Sequence, residues 1–142
     1  MKKIYLTTPL YYVNDKPHIG HAYTTILADV ISRYQKLSGK NVYFLTGTDE
    51  HGQKVQEAAL KLNTTPKDHV DKFHKNYLEL WSRLNIDFDK FIRTTDENHV
   101  NKVKKVLQTL WEKGEIYQAE YEGLYSVSEE RFITEKEYEE GE

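Results

Sequence analysis

The sequence predicts an open α/β protein with a parallel sheet, because short apolar runs alternate with long amphipathic stretches. Residues 4–10 read as a buried strand that ends in a polar turn, and residues 41–45 read as a second strand. The segment between them repeats its apolar residues at helical spacing. Two strands joined through a helix within one sheet are expected to form a right-handed parallel crossover.

The first predicted helix places an apolar residue at every third or fourth position. This spacing predicts a helix of about five turns, with an apolar stripe of the kind that faces a core. Gly39 occupies the C′ position, where glycine commonly ends a helix. The stripe consists of Ala22, Ile26, Val30, Tyr34 and Leu37, widened by Leu27 and Ile31.

Two more helices are expected after the second strand. Residues 54–62 form the first of them. For the next, Thr65 provides an N-cap and Pro66 a proline at N1, with Asp68 in the N3 place of a capping box. The apolar face of this helix is expected to lie in the core. It comprises Val70, Phe73, Tyr77, Leu80, Trp81 and Leu84.

A third strand is predicted over residues 88–94, ahead of a last helix. Thr94 and Glu97 have the spacing of a capping box, and Gly114 stops the helical pattern. A domain boundary is predicted near residue 115. Beyond it, residues 116–142 are rich in tyrosine and then in glutamate, and they are too few to form a second core. The apolar residues of the last helix are Val100, Val103, Val106, Leu107, Leu110 and Trp111.

Composition narrows the possible function classes. The 142 residues carry a net charge of −3, so no strongly basic surface indicates nucleic-acid binding. The chain has no cysteine, which excludes a disulfide framework and a thiolate zinc site. No apolar run approaches the ~20 residues that a membrane-spanning helix needs, so we expect a cytoplasmic protein without a membrane partner.

The most informative motif is His18-Ile19-Gly20-His21, at the junction of the first strand and the first helix. A helix N-terminus presents unpaired backbone N–H groups and a partial positive charge, which suit a phosphate. Gly20 lets an adenine ring or a phosphate approach the backbone, and imidazoles can donate hydrogen bonds to phosphoryl oxygens. The alternative is that both histidines are only cap and surface residues.

The loop after the second strand, residues 46–52, is expected at the same edge of the sheet. Asp49 could bind an ammonium group there, or the loop could simply cap the next helix. Asp49 and His51 could also join the two histidines of the motif at a metal site. Leu10 and Tyr12 lie at the end of the first strand, where such side chains either line a pocket or belong to the core.

Taken together and in order, these segments resemble the N-terminal part of the methionyl-tRNA synthetase family, and the resemblance covers nearly the whole chain. The His-Ile-Gly-His tetrad alone indicates a class I synthetase or a related nucleotidyl transferase. The segments around it narrow the resemblance to the synthetases specific for methionine. The matching segments are residues 7–14, 17–25, 44–52, 91–96 and 121–126.

The resemblance implies the first half of a Rossmann-like, HUP-type class I synthetase fold over residues 1–115, which would bind ATP and methionine. Residues 116–142 would begin a connective insertion. The implied enzyme is a methionine–tRNA ligase, in which the carboxylate of L-methionine attacks the α-phosphate of ATP and the methionyl group then passes to tRNA(Met). ATP is the co-substrate and Mg²⁺ accompanies it. No oligomeric state is implied.

The resemblance also implies roles for individual residues. His18 and His21 would contact the ATP phosphates and stabilise the transition state, and Gly20 would let the adenine approach. Asp49 would hold the methionine α-ammonium group. The thioether pocket would include Leu10 and Tyr12.

The chain departs from the family pattern in two respects. It has no Lys-Met-Ser-Lys-Ser run, the family's second ATP motif, so it is expected to be an incomplete fragment that is inactive alone. Ser126 and Ser128 stand where many members begin their cysteine zinc ligands, so we expect no zinc ligands in this chain. The alternatives are a nucleotidyl transferase of the same superfamily and a non-catalytic, synthetase-like binding module.

Overall fold

The computed structural model describes residues 2–134 and residue 137, and it confirms the α/β class and the parallel sheet. The sheet has four strands, of which β3 is central. β1 and β2 pair with one edge of β3 and β4 pairs with the other, all in parallel. The strands are β1 (Lys3–Thr7), β2 (Tyr11–Tyr12), β3 (Asn41–Asp49) and β4 (Lys90–Arg93).

The first predicted strand is shorter than expected. β1 ends at Thr7, and the chain leaves the ladder before it pairs again with β3 as the two-residue strand β2. The reason lies at Thr8 and Pro9. The buried hydroxyl of Thr8 is hydrogen-bonded to Thr46 Oγ1 at 2.8 Å, and proline has no N–H to give to a ladder. The break carries residues 8–10 towards the carboxyl end of β3.

The first helix, α1, spans Ile19–Leu37 and confirms the predicted helix. Gly39 follows it with φ +75°, the left-handed conformation that a C′ glycine provides. The apolar stripe does not face a core, and this expectation was wrong. Val30, Tyr34 and Leu37 are 56, 65 and 87% exposed.

Polar side chains take the buried side of α1 instead, and two of them, Thr25 and Asp29, form hydrogen bonds there. Asp29 Oδ1 accepts from the backbone N–H of Asp87 at 2.8 Å, and Asp29 Oδ2 accepts from Arg33 Nε at 2.6 Å. Thr25 joins the hydroxyl of Tyr11 at 2.8 Å. The buried residues of α1 are Thr25, Ala28, Asp29 and Ser32.

The core lies where α2 (Gln53–Lys61) and α3 (Pro66–Arg83) meet the segment after β1. Thr65 caps α3 by accepting from the Asp68 N–H at 3.1 Å, and Pro66 occupies the first turn, as predicted. The aromatic stripe of α3 is buried, also as predicted. The core consists of Tyr11, Val13, Val55, Val70, Phe73, Tyr77 and Trp81.

The last helix, α4, spans Glu97–Glu112, and the predicted capping box does not form. The Thr94 hydroxyl is engaged by the loop after β3, as described below. Asp96 flanks the helix start instead: its backbone carbonyl accepts from the Val100 N–H at 2.9 Å, and its side chain accepts from the Arg93 N–H at 3.2 Å. No residue of α4 is buried.

The chain divides into two compact units, one ending at Lys102 and the other beginning at Val103. The second contains a short antiparallel pair, β5 (Leu124–Ser126) and β6 (Arg131–Ile133). The boundary near residue 115 stays a prediction. Among the residues that the structure describes, no helix has the length and apolar character needed to cross a membrane.

Candidate functional site

His18 caps α1 through its side chain. Its Nδ1 accepts from the Gly20 N–H at 3.1 Å, and in return His21 Nδ1 accepts from the His18 N–H at 3.1 Å. The two imidazoles stack with centroids 3.7 Å apart. A β-carbon at Gly20 would lie 2.9 Å from His18 Cε1, so glycine also makes room for this ring. The helix start is therefore capped by a reciprocal pair of histidines in place of the usual hydroxyl or carboxylate.

This capping fixes the tautomer of both rings. A nitrogen that accepts from a backbone N–H carries no proton, so in the neutral imidazole the proton sits on Nε2. Within the described residues, no hydrogen bond engages Nε2 of His18 or His21. Each ring thus keeps one N–H donor for a ligand at the helix N-terminus.

The pKa of His21 is lowered from its usual value of 6.5, first by burial and then by the neighbouring His18. Because the folded state binds this proton less readily than the unfolded chain, the contribution of His21 is fully present above pH 6.5 and is lost as the pH falls through the folded pKa. We therefore expect the free energy of unfolding to fall below pH 6.5. Urea unfolding at a series of pH values and a histidine NMR titration measure this. His21→Asn, which keeps an acceptor, should flatten that dependence; titration of His21 above 6.5 would contradict the prediction.

The segment after β1 connects the histidines to the sheet. The His21 ring lies 4.7 Å from the ring of Tyr11, centroid to centroid. The Thr25 hydroxyl donates its only proton to the His21 carbonyl at 3.0 Å. In its 2.8 Å hydrogen bond with Tyr11, the Thr25 oxygen is therefore the acceptor and the Tyr11 hydroxyl is the donor. This chain of hydrogen bonds holds the first turn of α1 against β2.

Two buried side chains of α3 hold the next two peptides of the same segment. The Tyr77 hydroxyl donates to the Tyr12 carbonyl at 3.1 Å, and His69 Nε2 donates to the Val13 carbonyl at 2.8 Å. Burial, reinforced by Asp15 and Tyr11, raises the pKa of Tyr77 to about 12, so its hydroxyl stays protonated. The backbone that carries Tyr12 is therefore fixed from the core side.

Asp49 is next to Tyr12, since the two residues are register partners in the parallel pair of β2 and β3. Neighbouring strands lie about 4.8 Å apart. Asp49 Oδ1 accepts from the His51 N–H and from the Thr94 hydroxyl, each at 3.3 Å. Leu10 is half-buried and the Tyr12 side chain is 47% exposed. The carboxylate and the exposed aromatic ring thus lie at the carboxyl end of the sheet.

An ion network that includes the buried carboxylate of Glu50 begins at the residue after Asp49. The Glu50 carboxylate is fully buried and accepts from Arg93 Nε at 2.7 Å, from Thr48 Oγ1 at 2.9 Å and from the Thr95 hydroxyl. Arg93 also contacts Asp71, whose pKa is lowered to about 2 by hydrogen bonds from Lys67 and then Arg93. A cavity of about 510 Å³ borders this network. Its walls include Glu50, His51, Lys67, Asp71 and Arg93.

The structure therefore places His18, Gly20 and His21 at one helix start and brings Asp49 beside Tyr12 on the sheet. The alternative metal site does not form: among the described residues, no group of three or more histidine, aspartate or glutamate side chains is arranged to hold a metal ion. In the second unit, Ser126 and Ser128 face each other through hydroxyls 3.2 Å apart. Neutral hydroxyls do not suit zinc, which prefers thiolate and imidazole ligands.

Sequence reasoning missed several residues of this site. His69 and Thr94 received no binding role, and Tyr77 was predicted only as core. Glu50 and Arg93 lay inside matched segments without a stated function. The signal that could have pointed to them is a pair of opposite charges at the ends of two neighbouring strands, because buried charges are nearly always paired.

The fold and this site define a class of protein: a parallel α/β protein with polar groups gathered at the carboxyl ends of its strands, beside a helix N-terminus. Comparisons with known proteins narrow the class. Residues 4–141 match the family described as tRNA synthetases class I (M). This chain belongs to that family.

The relatives agree with this assignment. Methionine–tRNA ligase 1 of Bacillus cereus is 52% identical over 134 residues, 94% of this chain and 20% of the relative. The methionine–tRNA ligase of Campylobacter jejuni is 51% identical over 130 residues, 92% of this chain and 21% of the relative. The chain thus spans about a fifth of the length of these curated relatives.

A solved structure extends the comparison. Mycobacterium tuberculosis methionyl-tRNA synthetase in complex with methionyl-adenylate matches with a TM-score of 0.91 and 42% identity. The match covers 96% of this chain and 27% of that one. The Rossmann-like class I fold predicted for the first half of a catalytic domain is thereby confirmed.

Proposed function

We propose that this chain forms the methionine- and ATP-binding half of the catalytic domain of a methionine–tRNA ligase, with the remaining parts supplied by a longer protein. One observation carries the proposal. The Tyr11–Tyr12 strand contacts the His21 ring on one side and is paired with Asp49 on the other. One short strand therefore connects the carboxylate of Asp49 to a helix N-terminus of the kind that binds phosphate.

The histidines supply the ATP side of this site. With Nδ1 of each ring used in the cap, the Nε2–H groups of His18 and His21 are available to donate to phosphate oxygens. Charge accumulates on the oxygens around the α-phosphorus as it is attacked, and donors fixed there stabilise that charge. Gly20 leaves the helix start without a side chain of its own, so that adenine can approach.

Asp49 supplies the methionine side. Its carboxylate forms a charge-assisted hydrogen bond with the α-ammonium group, and Leu10 and Tyr12 contribute apolar surface for the thioether. The amino acid carboxylate, ionised at pH 7, attacks the α-phosphorus of ATP, and pyrophosphate leaves with the electron pair of the broken P–O bond. Neither histidine needs to remove a proton in this step.

The whole protein would then transfer the methionyl group to tRNA(Met). Mg²⁺ would enter with ATP, and a cytoplasmic location stays a prediction. Members of this superfamily that transfer nucleotides to other substrates do not require an ammonium-binding carboxylate. Selective binding of methionine therefore separates the proposal from that alternative.

The test uses the full-length protein and its methionine-dependent ATP–pyrophosphate exchange. We expect His21→Ala to lower the exchange rate by about 10²–10³-fold, the usual effect of losing one donor to transition-state charge. Calorimetry should show weaker methionine binding by Asp49→Asn. The unchanged protein should bind methionine and should not bind the free amino acid alanine. Circular dichroism verifies that each variant is folded.

A matched control is available outside the site. His99 is a half-buried residue of α4 that is not part of the site, so His99→Ala should leave the exchange rate unchanged. Unaltered exchange in folded His21→Ala would refute the proposed role of the histidines. No exchange by the unchanged protein, together with no methionine binding, would favour a non-catalytic, synthetase-like module.

A further inference from the structure

The hydroxyl of Thr94 links Asp49, the last residue of β3, to Glu50, the first residue after it. Thr94 Oγ1 accepts from the backbone N–H of Glu50 at 2.8 Å and donates to Asp49 Oδ1 at 3.3 Å. Because the accepted bond directs one lone pair of the hydroxyl towards the Glu50 N–H, its proton is free to turn towards the Asp49 carboxylate. The contact spans 45 positions of sequence and joins the end of β4 to the end of β3.

Thr94 is itself firmly held. Its backbone N–H donates to the Thr48 carbonyl at 3.1 Å, which extends the pairing of β4 with β3 by one residue. Its two chain neighbours, Arg93 and Thr95, both donate to the buried carboxylate of Glu50. These hydrogen bonds do not involve the Thr94 side chain, and they hold the backbone that positions it.

This geometry divides the Asp49 carboxylate into two halves. Oδ1 takes both the His51 N–H and the Thr94 hydroxyl, each at 3.3 Å. Among the described residues, no hydrogen bond engages Oδ2. A carboxylate whose one oxygen is anchored presents the other in a fixed direction. His51 is only two residues beyond Asp49 in the chain, whereas Thr94 follows the neighbouring strand β4. Thr94 is therefore the group that fixes the orientation of the Asp49 carboxylate relative to the sheet.

We propose that Thr94 is a positioning residue that aims Asp49 Oδ2 at the α-ammonium group of the amino acid substrate. This inference rests on the proposed function of Asp49. According to this inference, Thr94 affects the binding of methionine and not the binding of ATP. The reason is that the histidines proposed to bind the nucleotide do not contact Thr94. Without the hydroxyl, the carboxylate can rotate, and the hydrogen bond to the ammonium group must order it anew.

The experiment compares Thr94→Val with Thr94→Ser in the full-length protein, by steady-state ATP–pyrophosphate exchange. Valine keeps the shape of threonine and removes the hydroxyl, whereas serine keeps the hydroxyl. We expect Thr94→Val to raise KM for methionine about tenfold, the equivalent of one hydrogen bond to a charged group, and to change KM for ATP less than about twofold. Thr94→Ser should restore the KM for methionine.

Thr95→Val is the matched control, because Thr95 donates to Glu50 and does not contact Asp49. It should lower the unfolding temperature without separating the two KM values. Should Thr94→Val fail to fold, Thr94→Ala gives the same comparison with less crowding beside Glu50. An equal rise of both KM values in Thr94→Val, or the same separation in Thr95→Val, would overturn the proposal.

Asp49→Asn distinguishes this inference from the function on which it rests. If Asp49→Asn leaves the KM for methionine unchanged, the assignment of the ammonium site to Asp49 fails. If Asp49→Asn raises it strongly while Thr94→Val leaves it unchanged, only the role of Thr94 is overturned.

Discussion

Replacing Gly47 with alanine is expected to destabilise the fold strongly. Gly47 is buried in the middle of β3 and is the register partner of Ile92 in β4. An added β-carbon would lie 2.7 Å from Ile92 Cγ2 and 2.8 Å from the Ile92 carbonyl carbon, and closer still to the carbonyl oxygen. Since the obstruction is backbone, the two strands must separate. We expect a loss of at least about 3 kcal/mol, the upper part of the range for overpacking.

Gly39→Ala serves as the control. Gly39 has φ +75° and no atom near its missing β-carbon, so alanine there meets only the strain of the left-handed conformation, about 1–2 kcal/mol. Urea unfolding measures both variants and can be followed by tryptophan fluorescence, to which buried Trp81 and exposed Trp111 both contribute. Similar losses at the two glycines would show that β4 can move away from β3 at little cost.

The second large effect is expected at Arg93. Arg93→Met should destabilise the fold by about 3–5 kcal/mol, because it leaves the fully buried carboxylate of Glu50 without its positive partner. Glu50→Gln in the same chain replaces that carboxylate by a neutral amide and should recover part of the loss. A double-mutant cycle by urea unfolding gives the coupling energy.

Lys67→Met provides the comparison for this network. Lys67 forms an ion pair with Asp71 at 2.6 Å, but its side chain is 82% exposed. Exposed pairs of this kind contribute about 0–1 kcal/mol, so the variant should be nearly as stable as the original. Equal effects of Arg93→Met and Lys67→Met would mean that Glu50 gains its stability from the threonine hydroxyls alone.

The parts of the fold that sequence predicted well are those set by local chemistry. α3 is the clearest case: Thr65 and Pro66 mark its start, and the spacing of Phe73, Tyr77 and Trp81 marks the face that is buried. α1 shows the limit of this reasoning. Helical periodicity identifies an apolar face, but contacts elsewhere in the chain decide which face is covered. Asp29 formed such a contact with Asp87, 58 positions away.

The candidate site divides in the same way. His18, Gly20, His21 and Asp49 were found because their residue types and spacing resemble a family motif, and the structure gives these residues the positions described above. Thr94 was assigned to a capping box because Glu97 follows at the right spacing. The Thr94 hydroxyl instead accepts from the backbone N–H of Glu50, a part-buried donor that needs a partner. No local pattern in the sequence predicts this contact.

The histidine cap of α1 has a consequence for the cost of binding. Two imidazoles free to rotate would each lose rotamer entropy when they close on a ligand, typically about 0.5–1.5 kcal/mol for an immobilised side chain. Here the backbone of the first helical turn holds both rings through Nδ1 before any ligand arrives. Folding has already met that entropic cost, so under the proposed function the site is preorganised, and an arriving phosphate would only have to exchange water for two oriented N–H groups.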